Sequence, residues 1–369
     1  LTLKGNREAV LDGGGEGTTL SMNAPGTRVR GLTLRHSGAN LTNHDAVVLV
    51  AEEAAGSRIE NNRIHARGFG IWLDGTENVR VEGNHITGDT QLRSQDRGNG
   101  IHLFNVSGAE ILNNRVCQTR DGIYIDVSNG NRLEGNELCD QRYGIHYMYS
   151  QDNAVVGNRT HGNRTGFALM QSRGLEVRDN HAEDDEGYGF FMNYLTHSQI
   201  LNNRAIRIRA SGTGSGAAIQ GGEGKGLFVY NAHQNEIRGN LVAETDIGIH
   251  LTAGSENNEF YGNAFISNRT QVMYVSNREQ EWSRDGRGNY WSDYMGWDMA
   301  GDGIGDTPYQ PNDAIDRVLW KYPSARVLIN SPAVQLLRWV QRAFPVLRPS
   351  GVTDSAPLMR PPEHLEDYP

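Results

Sequence analysis

Three residues in the middle of the chain carry a soft-metal donor set: His146, Met148 and Met170. One imidazole with two thioethers is a set that Cu(I) selects and that neither zinc nor calcium favours. His146 and Met148 are two residues apart, so on a strand they share a face at roughly 7 Å. The competing reading is structural, because methionine fills irregular gaps and both could pad a covered surface. A second set, Cys117, Cys139 and His161, recurs at successive spacings of 22 residues. It leaves three readings open: a disulfide of an exported protein, a second copper site, or small residues buried at one corner. The run Asp298-Met-Ala-Gly-Asp302-Gly-Ile-Gly-Asp306 has the alternating oxygens and glycines of a calcium loop. Ala300 stands where a further carboxylate is expected, which favours a plain structural turn over calcium. Asp74 with Asp126, and Asp184-Asp185-Glu186 near His181, could serve an enzyme on uronate polymers. That alternative wants basic residues on the same outward columns, and the pattern does not place them there.

These groups are useful only if something stacks them, and a repeat does. Gly-apolar-x-apolar begins at Gly70, Gly100, Gly122, Gly144, Gly166, Gly189, Gly226 and Gly248. In seven of those eight copies an asparagine follows 14 residues after the glycine, from Asn84 to Asn240. Two motifs locked in phase over so many copies define a solenoid. The expected fold class is all-β: a right-handed parallel β-helix of about 22-residue coils, with a C-terminal helix and an extended tail. Positions 71, 101, 123, 145, 167 and 190 hold Ile or Phe and should pile up as a core, one coil every ~4.8 Å. The asparagines suit an amide ladder at a corner. Once stacked, Cys117, Cys139 and His161 are neighbours, and Met170 takes the place of Met148 in the next coil.

Outward positions of the Gly-led strand read Trp72, His102, Tyr124, His146, Ala168, Phe191, Phe228 and His250, with Tyr230 in the adjoining column. A solvent face would hold Lys, Glu, Thr and Ser, so this face is covered or binds something. An insertion at 207–224 interrupts the period. After Asn277 the repeat fades into a Gly- and aromatic-rich block. Ser331–Val346 then reads as an amphipathic helix with Ser331 as N-cap and Pro332 at its first position, presenting Trp339 and Phe344. The expected division is 1–287 β-helix, 288–330 closing segment, and 331–369 helix and tail for docking.

A hydrophobic share of 37% fits a narrow core, and a net charge of −9 argues against a nucleic-acid partner. No apolar stretch is long enough to span a membrane. The first residues read as a strand running into a turn, so any export signal is expected to lie ahead of Leu1.

The stretches 144–150 (GIHYMYS) and 166–172 (GFALMQS), with Gly288-Asn-Tyr-Trp-Ser-Asp-Tyr294 through Asp306-Thr-Pro-Tyr309, resemble the NosD family. The resemblance implies a periplasmic, non-enzymatic accessory of nitrous oxide reductase maturation. It implies partnership with the permease and ATPase subunits of an ABC transporter, copper received from a small lipoprotein chaperone, and delivery to nitrous oxide reductase. It favours transient Cu(I) at His146, Met148 and Met170 without naming ligands. Phe191, Phe228, Tyr230, Trp339 and Phe344 are the expected docking residues. The alternative is a β-helix carbohydrate-active enzyme of the uronate epimerase or lyase kind.

Overall fold

Short segments with inward apolar residues, punctuated by Gly, Asn and Asp, favour parallel strands stacked turn upon turn. The computed structural model describes residues 1–6, 8–210, 224–252, 254–274, 276, 278–322, 324, 328, 331–343 and 351–368. The chain winds as a right-handed parallel β-solenoid of about 12 turns. Three parallel sheets of 11, 12 and 11 strands form its sides. One turn contributes Arg132–Glu134 to the first sheet, Glu137–Cys139 to the second and Tyr143–Met148 to the third.

Register follows the repeat. Ile123 pairs with Ile145, Ile145 with Phe167, and Phe167 with Phe190, and all four are fully buried. The rings of Phe167 and Phe190 stack with centroids 4.6 Å apart. Like side chains thus meet like along the axis, and the core is a file only a few residues wide.

The asparagine corner is a continuous ladder. Asn136 Nδ2 donates to Asn158 Oδ1 at 2.8 Å and to Ile111 O at 2.8 Å, while its backbone N–H donates to the same Asn158 oxygen at 3.0 Å. The pattern repeats through Asn158, Asn180, Asn203, Asn240 and Asn263 to Asn289. Each ladder amide from Asn136 to Asn263 is therefore satisfied by its neighbours in adjacent turns. The left-handed residue of this corner is the one before the ladder asparagine, such as Asn113, Gly135 or Asp179. The ladder amides themselves are free to hydrogen-bond.

The C-terminal segment departs from the expected extended tail. Val352–Thr353 pairs in parallel with Gln280–Glu281. Asp354 Oδ2 then accepts from the Asn289 backbone N–H at 2.7 Å and from Trp291 Nε1 at 2.8 Å. The ladder needs an acceptor at its last rung, and the tail supplies one. Further on, Leu365 is buried against Ile206, Leu241, Ala243 and Ile266, and Tyr368 Oη donates to Glu244 Oε1 at 2.7 Å.

Two helices lie outside the solenoid: α1, Ala314–Lys321, with a capping box between Asp313 and Asp316, and α2, Pro332–Ala343. The first was not apparent from the pattern. No helix among the described residues is long and apolar enough to cross a membrane.

Candidate functional site

The outward column of the third sheet runs in unbroken register from Trp72 through His102, Tyr124, His146 and Ala168 to Phe191, Phe228 and His250. Its N-terminal half is self-packed. The His44 and Trp72 rings stack at 4.1 Å, Trp72 and His102 lie 3.9 Å apart, and Tyr124 meets His146 edge-on at 4.5 Å. Burial pushes the His102 imidazole down to about 3 and the Tyr124 phenol up to about 12, so both are neutral near pH 7.

His146 is held from one side. Its Nδ1 lies 3.0 Å from Oδ2 of Asp121, a residue of the preceding turn. Arg142 clasps the same carboxylate with two hydrogen bonds, Nε to Oδ1 at 2.8 Å and Nη2 to Oδ2 at 2.6 Å. Burial opposes ionisation of Asp121, but the hydrogen bonds from His146 and Arg142 outweigh it and hold the carboxyl below its ordinary range. An ionised carboxylate accepts only, so Nδ1 carries a proton. In the neutral ring Nε2 is then the basic nitrogen, and this buried atom has no hydrogen-bond partner among the described residues. Met148 and Met170 sit half-buried on the same face, in adjacent turns. The three expected donors thus share one face, with His146 covered and the two sulfurs partly open.

Asp121 escaped the sequence reading for a physical reason. Strict alternation back from Tyr124 places residue 121 inward. A Cβ on Gly122 would lie 2.5 Å from the Gly144 carbonyl oxygen, and pairing passes over this glycine, Asp121 opposing Tyr143 and Ile123 opposing Ile145. The kink turns the residue before each such glycine toward the outward face. A groove of about 600 Å³ runs beside it, lined by Arg97, Arg120 and Arg142 as well as Asp121, Tyr124, Asp126 and His146. The outward columns themselves hold no arginine or lysine, as expected; these arginines reach the groove from the turns leading into the strands.

Cys117 and Cys139 pair in register and are joined as a disulfide with Cα atoms 4.6 Å apart. Neither thiolate is left for a metal. His161 follows in the next turn, where its Nε2 lies 3.4 Å from Glu137 Oε1. Calcium at Asp298, Asp302 and Asp306 is not supported, and the structural turn favoured over it accounts for these carboxylates. Asp298 accepts from the backbone N–H groups of Gly301 and Gly303, Asp302 from that of Ile304, and Asp306 from that of Met299. These carboxylates close their own turns. Asp185 is likewise structural, fully buried and accepting from Asn163 and Thr160.

Residues 82–296 match the family model of the periplasmic copper-binding protein NosD, and residues 16–116 match that of the right-handed β-helix region. A "Probable ABC transporter binding protein NosD" from Pseudomonas aeruginosa is 60% identical over 362 residues, covering 98% of this chain and 84% of the relative. A protein of the same name from Stutzerimonas stutzeri is 56% identical over 354 residues, covering 96% and 81%. The chain belongs to the NosD family. Its place is the periplasm, and its relatives bear the name of binding proteins rather than enzymes. Among solved structures, the Dettilon tailspike protein superposes with a TM-score of 0.53 at 14% identity, covering 70% of this chain and 55% of that one. A double mutant of the periplasmic alginate epimerase AlgG gives 0.51 at 14% identity, covering 67% and 60%. At such identities the likeness concerns the β-helix alone.

In this NosD-family chain the C-terminal half of the outward column is more open. Phe191 and Phe228 stack at 5.1 Å, Phe228 and His250 at 4.7 Å, and Tyr230 is exposed beside them. On α2, Leu336, Leu337 and Trp339 are all more than half exposed. Phe344 and most of the 207–224 insertion, residues 211–223, lie outside the described residues.

Proposed function

We propose that the chain accepts Cu(I) at His146, Met148 and Met170 and passes it on during maturation of nitrous oxide reductase. In this reading it is a carrier and not an enzyme. It works beside the permease and ATPase subunits of an ABC transporter, takes copper from a small lipoprotein chaperone, and surrenders it to the reductase. The observation that supports it is the Asp121–His146 hydrogen bond, which leaves a basic, unpartnered Nε2 on the same face as two thioethers.

A carboxylate on the far nitrogen of a ligating imidazole fixes the tautomer and raises ligand basicity. Thioether side chains have three rotatable bonds and can close over a metal or swing away from it. Three ligands, two of them weak and partly open, favour exchange with an incoming partner over permanent retention. The stacked Phe191 and Phe228 with Tyr230, and Trp339 on α2, supply apolar area for those partners.

Titration of the reduced protein with Cu(I) against a chromogenic chelator tests the site. Met148→Ala and Met170→Ala should each weaken binding at least tenfold. Unchanged affinity in both variants overturns the ligand assignment. The groove arginines favour a rival reading, an enzyme on acidic saccharides. Incubation with polyuronates, followed by a search for unsaturated or epimerised products, decides against it if none forms.

A further inference from the structure

The groove beside His146 is larger than a copper ion needs and is charged in a way copper does not explain. It spans the turns from His44 to His146, four steps of the solenoid, or roughly 19 Å at ~4.8 Å per step. Its volume of about 600 Å³ falls within the ~300–1,000 Å³ of small-molecule sites. Of its three guanidinium groups, only that of Arg142 is neutralised, by Asp121. Arg97 gives three of its five N–H groups to the carbonyl oxygens of Leu92 and Gln118, and keeps its charge and two donors. Arg120 is half-buried beside Tyr124, and no ion pair is formed by it or by Arg97 among the described residues. Two guanidinium groups without an ion pair outnumber the one further carboxylate of the groove, Asp126, and a net positive groove in a protein of net charge −9 favours an anion.

The anion is not a phosphate-rich one. Asp126 lines the same groove, half-buried and without an ion pair among the described residues. A phosphate brought against it would be repelled, whereas a sugar hydroxyl can donate to it. Phe104, directly opposite Asp126 in the neighbouring turn and 41% exposed, offers an apolar face to a ring. One carboxylate for the arginines, hydroxyls for Asp126 and a ring against Phe104 together describe a sugar acid, and the length of the groove exceeds one ring.

We propose that this groove binds an acidic oligosaccharide, with a uronate carboxylate held by Arg120 and Arg97 and sugar hydroxyls by Asp126. This binding site is independent of the copper reading and requires no turnover. The test is isothermal titration of the intact, copper-free protein with a tetramannuronate, its neutral counterpart mannotetraose, and glucuronate monomer. Tetramannuronate should bind, mannotetraose should bind at least tenfold more weakly, and the monomer should fall between them. Arg120→Gln and Phe104→Ala should each weaken the tetramannuronate at least fivefold at unchanged melting temperature, and Arg120→Gln should leave Cu(I) affinity where it was. Equal binding of the neutral and acidic tetrasaccharides, no binding of either, or full affinity in both variants overturns the proposal.

Discussion

Asp121 Oδ2 lies 3.0 Å from His146 Nδ1 across one turn of the solenoid, and Arg142 holds the carboxylate in place from its other side. The pair determines which imidazole nitrogen is free. Asp121→Asn keeps the shape but removes the charge, and the amide can donate as well as accept, so the tautomer is no longer imposed. Cu(I) affinity should fall about 10–100-fold, as for other partners of ligating histidines. Competition with a chromogenic chelator measures it, and the histidine ring ¹⁵N shifts report the tautomer. An unaltered tautomer with unaltered affinity removes Asp121 from the site.

Asp185 is a carboxyl in a column whose two preceding rungs, Gln141 and Asn163, are amides. It is fully buried, and desolvation pushes its pKa up to about 7 despite hydrogen bonds from Asn163 and Thr160. In the unfolded chain it returns to about 4. The folded state therefore holds this proton more tightly. The stabilisation is complete below about pH 4 and is lost as pH rises toward 7 and beyond. Asp185→Asn keeps the accepting oxygen and cannot ionise. Melting temperatures measured from pH 4 to 8 should converge with the unsubstituted protein at the acid end. At pH 8 the variant should be the more stable, by on the order of 4 kcal/mol. A wild-type curve that does not fall over this interval contradicts the assignment.

The last rung of the asparagine ladder depends on a residue far along the chain. With Asp354→Ala, the Asn289 N–H and the Trp291 indole N–H, both buried, lose their acceptor. Leaving such donors unsatisfied should destabilise the fold by roughly 3 kcal/mol and free residues 351–368 for limited proteolysis. Asp354→Asn retains one accepting oxygen and should recover most of the loss. If the alanine variant melts with the parent and resists protease equally, the tail is not a clasp.

Much of the architecture was readable because a solenoid writes its geometry as a period. The columns through Ile123 and Ile145, the ladder through Asn136 and Asn158, and the stacking of Cys117 on Cys139 all follow from the spacing of 22. What lay outside the period was hidden. Asp121 reaches the outward face only because the glycine after it kinks the strand, which reverses the alternation a sequence reader extrapolates. Arg120 and Arg142 stand in turns, so no strand column announces them. Asp354 meets Asn289 through a return of the chain that has no repeat to betray it, and α1 is too short to show a clear pattern. The donor set at His146, Met148 and Met170 was visible as residue types in register. The carboxylate that orients it was not.

The apolar side chains of α2 stand open. Leu336, Leu337 and Trp339 are 60%, 54% and 62% exposed, and a soluble chain gains nothing by displaying three such side chains on one helix. Fully burying each against a partner is worth about 1.5–3 kcal/mol before ordering costs. If they dock to the transporter's permease, Leu336→Glu and Trp339→Glu should leave the melting temperature within about a degree of the parent, because both side chains are more than half exposed. The same variants should lose at least tenfold in affinity for the purified permease–ATPase complex in detergent, read by size-exclusion co-elution and by titration. The rival role, a cap on the end of the solenoid, gives the opposite pair of results: a lower melting temperature and an intact complex.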